Sequence, residues 1–313
     1  MSKRTIALFG ATLVSLIYGV TFTIAKDVMP QYIDAYGFIV LRVGGSVLLF
    51  WLAALLMNAS NVIKSEKIAA EDFPRIAAAA FFGVALNMLT FFKGLSYTSP
   101  ISASVIMVTT PIIVLVLSAL IMKEKMLKRK VFGIVLGLAG TAMLILYGKS
   151  VGNATNANLG NFLVFVNAVS YGFYLIIVKK LMDKYNAFSF VKWIYLFGLL
   201  MVLPFGWSEL SAVSWEVLPM SIIWKIAFVV VFSTFLTYLL NLLSMRELKP
   251  TTVAVFIYLQ PLFATIFAIS VGKDQLSLIK IISAIMVFAG VFLVTRDTAV
   301  PKQTASDEAS IGQ

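Results

Sequence analysis

The sequence predicts an all-α integral membrane protein with ten transmembrane helices, arranged as two inverted five-helix repeats. Three observations predict it. Hydrophobic residues fill 60% of the 313 positions, with a mean hydropathy of +0.96, more apolar surface than a soluble chain of this length can hide. The apolar residues fall in runs of about 20, the length that crosses a bilayer. The chain also aligns with itself at an offset of 150 residues.

The spans read, in order, as residues 5–25, 36–57, 74–93, 100–122, 130–148, 159–178, 188–205, 221–244, 250–271 and 279–295. The first is kept as a span because it is too long for the apolar core of a signal peptide and its pattern recurs later. Trp51, Trp193, Trp207, Trp215 and Trp224 fall near span ends, where indoles anchor to the membrane interface. Residues 1–148 form the first repeat, 149–158 a linker and 159–296 the second repeat. The tail 297–313 is polar and expected to be disordered.

The basic residues set the expected orientation. Of 25 Lys and Arg, 18 fall on one side of the alternating loops, among them Lys64, Lys67, Lys123, Lys125 and Lys128. Six fall on the other: Lys26, Lys93, Lys149, Lys225, Lys273 and Lys280. Positive charge stays inside, so both termini are expected in the cytoplasm, with the chain multi-pass in the cytoplasmic membrane. The net charge of +11 follows from this topology, and no nucleic-acid partner is expected. The expected partners are a small-molecule substrate and the lipid bilayer, with the chain as a monomer or homodimer.

At the 150-residue offset, Pro100 meets Pro250, Pro111 meets Pro261, Glu124 meets Asp274, Lys130 meets Lys280 and Gly140 meets Gly290. Phe38 and Arg42 meet Phe188 and Lys192; Tyr18-Gly19 meets Tyr171-Gly172 three residues further on. Five spans per repeat is an odd number, so the second copy enters the membrane upside-down, a construction of secondary transporters. The stretches "TTPIIVLVLSALIMKEKMLKRKVFGIVLGLAG" and "LQPLFATIFAISVGKDQLSLIKIISAIMVFAG" resemble the late-repeat motif of the drug/metabolite transporter superfamily, in its ten-helix EamA-type branch. The resemblance covers residues 5–295. It implies a carrier with a central cavity lined by spans 1, 3, 4, 6, 8 and 9, with spans 5 and 10 as scaffold. It also implies export of amino acids or similar metabolites.

The chemistry of the spans narrows the class. There is no Cys and no His, which removes Cys and His nucleophiles and the usual zinc donors. No deep set of ionisable residues suits an intramembrane enzyme, so none is expected, and no cofactor or metal either. A channel or a lipid scramblase remains an alternative to a carrier. Substrate-binding candidates are Tyr18, Asn87, Phe91, Thr110, Tyr171, Tyr174, Thr237, Asn241, Tyr258 and Gln260, which place amides and phenols on helical faces among aromatic rings. Each also reads as helix–helix glue. Pro111 and Pro261 are candidate kinks that free the carbonyls of Met107 and Ile257 for a cavity or a substrate. Arg42 is expected to snorkel, with an anion contact as the alternative. Glu124 and Asp274 are expected to cap spans 5 and 10 and to pair with nearby lysines, with a gate or proton site as the alternative.

Overall fold

The structure is a computed structural model that describes residues 3–59, 66–122, 128–147, 156–238, 240, 244, 256 and 258–295. Among these residues every regular element is helical. Seven helices are long and apolar enough to cross a membrane, and three shorter apolar helices occupy the places of the remaining predicted spans. The expected disordered tail, most of the linker, Glu124, Asn241 and Pro250 lie outside the described residues.

The first copy contains α1 (Lys3–Val28), α2 (Ala35–Ala59) and α3 (Ala70–Tyr97). It continues with α4 (Pro100–Met107), α5 (Thr110–Met122) and α6 (Lys128–Tyr147). The second contains α7 (Ala157–Met182), α8 (Ala187–Ser211), α9 (Met220–Leu236), α10 (Gln260–Ser270) and α11 (Leu278–Thr295). Local sequence fixes several starts. Ser99 Oγ accepts the Ser102 amide at the head of α4, Asn156 Oδ1 accepts from Leu159 at α7, and Asn186 Oδ1 from Phe188 at α8. Each supplies one acceptor to the orphan donors of a helix end.

The copies pack against each other in matching pairs. α2 lies on α8, α6 on α11, α3 on α7 and α9 on α1, while α5 meets α7 and α10 meets α1. At the α6–α11 crossing the backbones nearly touch: a Cβ on Gly290 would stand 2.6 Å from Gly133 O and from Gly137 N. Only hydrogen fits there, as in other small-residue crossings of membrane helices. Away from these seams the helices turn bulky apolar side chains outward. Leu48, Phe9, Leu55, Leu120 and Trp224 are all strongly exposed, the arrangement expected of a surface solvated by lipid.

The prolines act differently from expectation. The span read as 100–122 is not one kinked helix. α4 ends, Val108 and Thr109 form a tight turn through 3.1 and 3.0 Å bonds to Val105 O and Ile106 O, and α5 begins with Pro111 in its first turn. The second copy repeats this 150 residues later: Tyr258 and Leu259 form the turn, and Pro261 stands in the first turn of α10. A first-turn proline loses no helical hydrogen bond. The Met107 carbonyl is accordingly not left open, since Thr110 Oγ1 donates to it at 2.8 Å. Ile257 lies outside the described residues.

A second interruption also recurs at the same offset. α3 passes through a π-helical segment at Phe81–Ala85 and α9 through one at Val231–Leu236. Such widened turns tilt side chains and concentrate at functional sites.

Candidate substrate-binding site

The tyrosines converge. Tyr171 and Tyr174 of α7 stack with ring centroids 5.6 Å apart. Tyr18 of α1, Tyr195 of α8 and Tyr238, just beyond α9, lie within electrostatic reach of them. Tyr171, Tyr174, Tyr195 and Tyr238 sit deep in the molecule, yet each keeps part of its surface open. These half-buried rings mark out a tyrosine-lined interior between the helices that carry them. This interior, walled by α1, α7, α8 and α9, is the candidate site, and both copies contribute to it.

Backbone approach positions the rings. Gly83, in the π-segment of α3, lets Tyr174 close in, since a Cβ there would stand 2.3 Å from the ring. Gly19 and Gly172, each directly after a site tyrosine, abut the restarted helices. A Cβ on Gly19 would meet Gln260 O at 2.9 Å, and one on Gly172 would meet Ile113 Cγ2 at 3.0 Å. The interruption in each copy is therefore packed against the first helix of the other.

The remaining candidates separate into those near the interior and those used elsewhere. Asn87 and Asn167 form a reciprocal pair between α3 and α7: Asn167 Nδ2 donates to Asn87 O at 2.8 Å, and Asn87 Nδ2 to Asn167 O at 3.4 Å. Asn167 Oδ1 remains buried without a partner. Phe91 packs edge-on to Phe22 at 5.5 Å, joining α1 to α3. Thr110 and Thr237 are buried, and their hydroxyls donate to backbone carbonyls, Thr110 to Met107 and Thr237 to Ser233 at 3.0 Å. They hold the interruptions closed. Tyr258 faces Phe288 of α11 at 6.4 Å, and Gln260 opens α10 beside Gly19. Asn241 and Glu124 lie outside the described residues.

Arg42 does not snorkel. It is 8% exposed, and its Nε donates to Thr234 Oγ1 at 2.8 Å while a terminal nitrogen reaches Ser233 O at 3.4 Å. The guanidinium lies 4.9 Å above the Phe92 ring. The expectation followed from the usual reach of a long basic chain at that depth, whereas the π-segment of α9 and the end of α3 cover the guanidinium. Asp274 does not cap the last helix either. Ser277 Oγ accepts the Lys280 amide there at 3.3 Å. Asp274 crosses to the other copy, accepts the Ile101 amide of α4 at 3.1 Å and pairs with Lys280 at 2.5 Å, both charged groups fully buried. A carboxylate is favourable at a helix N-terminus, and Ile101 opens such a helix.

Beside this pair, Lys26 Nζ donates to the carbonyls of Leu95, Ser96 and Thr98 at the end of α3. Asp27 bridges Lys225 at 2.5 Å and Lys273 at 2.7 Å. This end of the bundle is thus latched across the copies by buried and half-buried charge. At the other end Lys184 joins Asp72 at 2.6 Å and Glu71 at 3.1 Å. Tyr195, Tyr238 and Lys26 carried no signal in the sequence that set them apart from neighbouring aromatic residues and helix-end lysines. A groove of about 490 Å³ on the α2–α8 face, lined by Val47, Leu48, Trp51, Leu52, Leu55 and Leu196, is wholly apolar and belongs to the lipid-facing surface.

The EamA-like transporter family matches residues 5–146 and 158–296 of the chain. "Uncharacterized transporter YyaM" of Bacillus subtilis (strain 168) is 24% identical, over 95% of this chain and 96% of its own length. An "Uncharacterized transporter" of Archaeoglobus fulgidus is 26% identical, over 75% and 82%. A solved crystal structure, 17% identical, superposes with a TM-score of 0.61 over 94% of this chain and 98% of the other, a likeness of fold.

Proposed function

The chain belongs to the EamA-like transporter family, and from that premise we propose that it is a secondary carrier that exports a small organic metabolite, an amino acid or similar, across the cytoplasmic membrane by alternating access. One observation carries the proposal: the phenol-lined interior is deep, partly open and built from both copies. Helices interrupted at equivalent places in inverted repeats supply a way to rock the halves around such a site. Stacked phenols and an amide pair suit a solute with an apolar body and a few polar groups. Export and the amino-acid class rest on the family resemblance alone. The excess of Lys and Arg on one side supports an orientation with both termini in the cytoplasm. Repeat boundaries at 1–148 and 159–296, a monomer or homodimer in lipid, no nucleic-acid partner and no catalytic role complete the reading.

The test is counterflow in proteoliposomes, with a panel of labelled amino acids and related organic acids. A carrier gives saturable, stereoselective exchange, and Tyr171→Ala or Asn87→Ala lowers it at matched protein levels. Flux that neither saturates nor distinguishes enantiomers replaces the carrier with a channel.

A further inference from the structure

One interior charge, that of Arg42, has no acid paired with it among the described residues. Arg42 is 8% exposed, and its neighbours are a hydroxyl (Thr234), a carbonyl (Ser233) and the face of Phe92. The guanidinium sits where α2, α3 and α9 meet, and the phenols of Tyr18 and Tyr195 are its electrostatic neighbours. The described ion pairs all lie elsewhere, on Asp27, Glu71, Asp72 and Asp274. A guanidinium carries five N–H donors in a planar fork, and the two bonds to Thr234 and Ser233 leave donors unspent. A buried cation without an acid costs several kcal/mol, more than one cation–π contact of about 2 kcal/mol recovers. Ser233 Oγ, on the residue whose carbonyl Arg42 meets, is also buried without a partner. A cation without a described acid partner and an orphan hydroxyl on the residue whose carbonyl it meets are complementary to an oxyanion.

We infer that Arg42 and Ser233 seat a carboxylate of the transported solute, so that the substrates are carboxylic acids, zwitterionic or anionic, and not amines or neutral amides. The planar fork matches the two oxygens of a carboxylate. One guanidinium balances one negative charge. A phosphate dianion asks for two, and the neighbouring cation, Lys93, one residue after Phe92, is engaged by the rings of Tyr36 and Tyr97. The inference rests on the carrier reading for its transport consequence, not for the binding itself.

Binding to the full-length purified protein tests it, by thermal stabilisation and intrinsic fluorescence in detergent. The probes are matched triples: L-phenylalanine, L-phenylalaninamide and phenethylamine; L-leucine, L-leucinamide and isoamylamine; with phenylacetate and 4-methylvalerate as acids lacking the amine. Acids that bind at least ten-fold more tightly than their amides and amines support the seat, as does a loss of about ten-fold or more in Arg42→Gln. Amides or amines that bind as tightly as the acids overturn it, and so does a wild-type protein that binds none of the acids. If Arg42→Gln does not purify as a monodisperse species, the wild-type triples decide alone. Counterflow with the same probes separates the two readings. Acid binding without flux keeps the seat and removes the carrier, whereas equal flux of acids and amines keeps the carrier and removes the seat.

Discussion

Arg42 and Lys192 occupy the same register, 150 residues apart, on the two helices that pack together across the repeats, α2 and α8. Arg42 turns inward, to the π-segment of α9 and the Phe92 ring. The Lys192 ammonium lies 5.2 Å from the centre of the Trp51 ring, at the apolar α2–α8 seam where Trp51 and Trp193 also meet edge-on at 5.3 Å. The backbone around them is duplicated: π-segments at Phe81–Ala85 and Val231–Leu236, turns at Val108–Thr109 and Tyr258–Leu259. The side chains that decide chemistry are not. A carrier that swaps two shapes needs matching halves, whereas a solute with a head and a tail needs unlike walls. On the proposed carrier reading, duplication supplies the first, and divergence at positions such as 42 and 192 supplies the second.

The strongest way to break the comparison is at the acid of the second copy. Asp274→Asn leaves Lys280, 1% exposed, without its charge partner, and is expected to cost about 3–5 kcal/mol of unfolding free energy in detergent. A loss below 1 kcal/mol would show that the pair is not closed as described. Next is the shared crossing of α6 and α11. Gly290→Val places a side chain where backbone stands at 2.6 Å, and a loss of about 1–3 kcal/mol or more is expected by the same assay. The sharpest comparison exchanges the two basic residues. Arg42→Lys should weaken phenylalanine binding about ten-fold, because an ammonium cannot present a fork. Lys192→Arg should leave it within about two-fold, and equal effects at both positions would erase the asymmetry.

The smallest effect concerns Lys184, half-exposed at the end of the bundle opposite Asp274. Hydrogen bonds to Asp72 and then Glu71 hold its ammonium above the ordinary lysine range. A raised pKa stabilises fully below the unfolded value of about 10.4 and fades as pH climbs through the higher folded value. The melting-temperature gap between wild type and Lys184→Met should therefore stay constant up to about pH 10 and shrink above it. A gap that instead closes on acidification to pH 6 would assign the effect to another group.

Much of the fold was legible in the sequence because lipid leaves few choices. Span length, proline position and small-residue crossings are local or periodic signals, and the 150-residue offset tied them together. Helix–helix neighbours were not legible at the same level. Arg42 was expected at the membrane surface because depth along a helix says nothing of which side faces a partner. Asp274 was expected to cap the nearest helix in sequence and to pair with a nearby lysine; it does pair with Lys280, but the helix end it serves is that of α4 in the other copy. Thr110 and Thr237 were read as facing a solute, yet a threonine hydroxyl in a membrane helix finds a backbone carbonyl within its own turn first. Tyr18, Tyr171 and Tyr174 stood among the sequence candidates, whereas Tyr195 and Tyr238 were lost among 11 tyrosines and 25 phenylalanines.

The bond from Thr110 to the Met107 carbonyl has a wider consequence. The chain carries its own stand-in for water at the gap between α4 and α5, so the gap survives whether that stretch of the bundle is wet or dry. A break satisfied from within keeps one shape in lipid, in protein or in water.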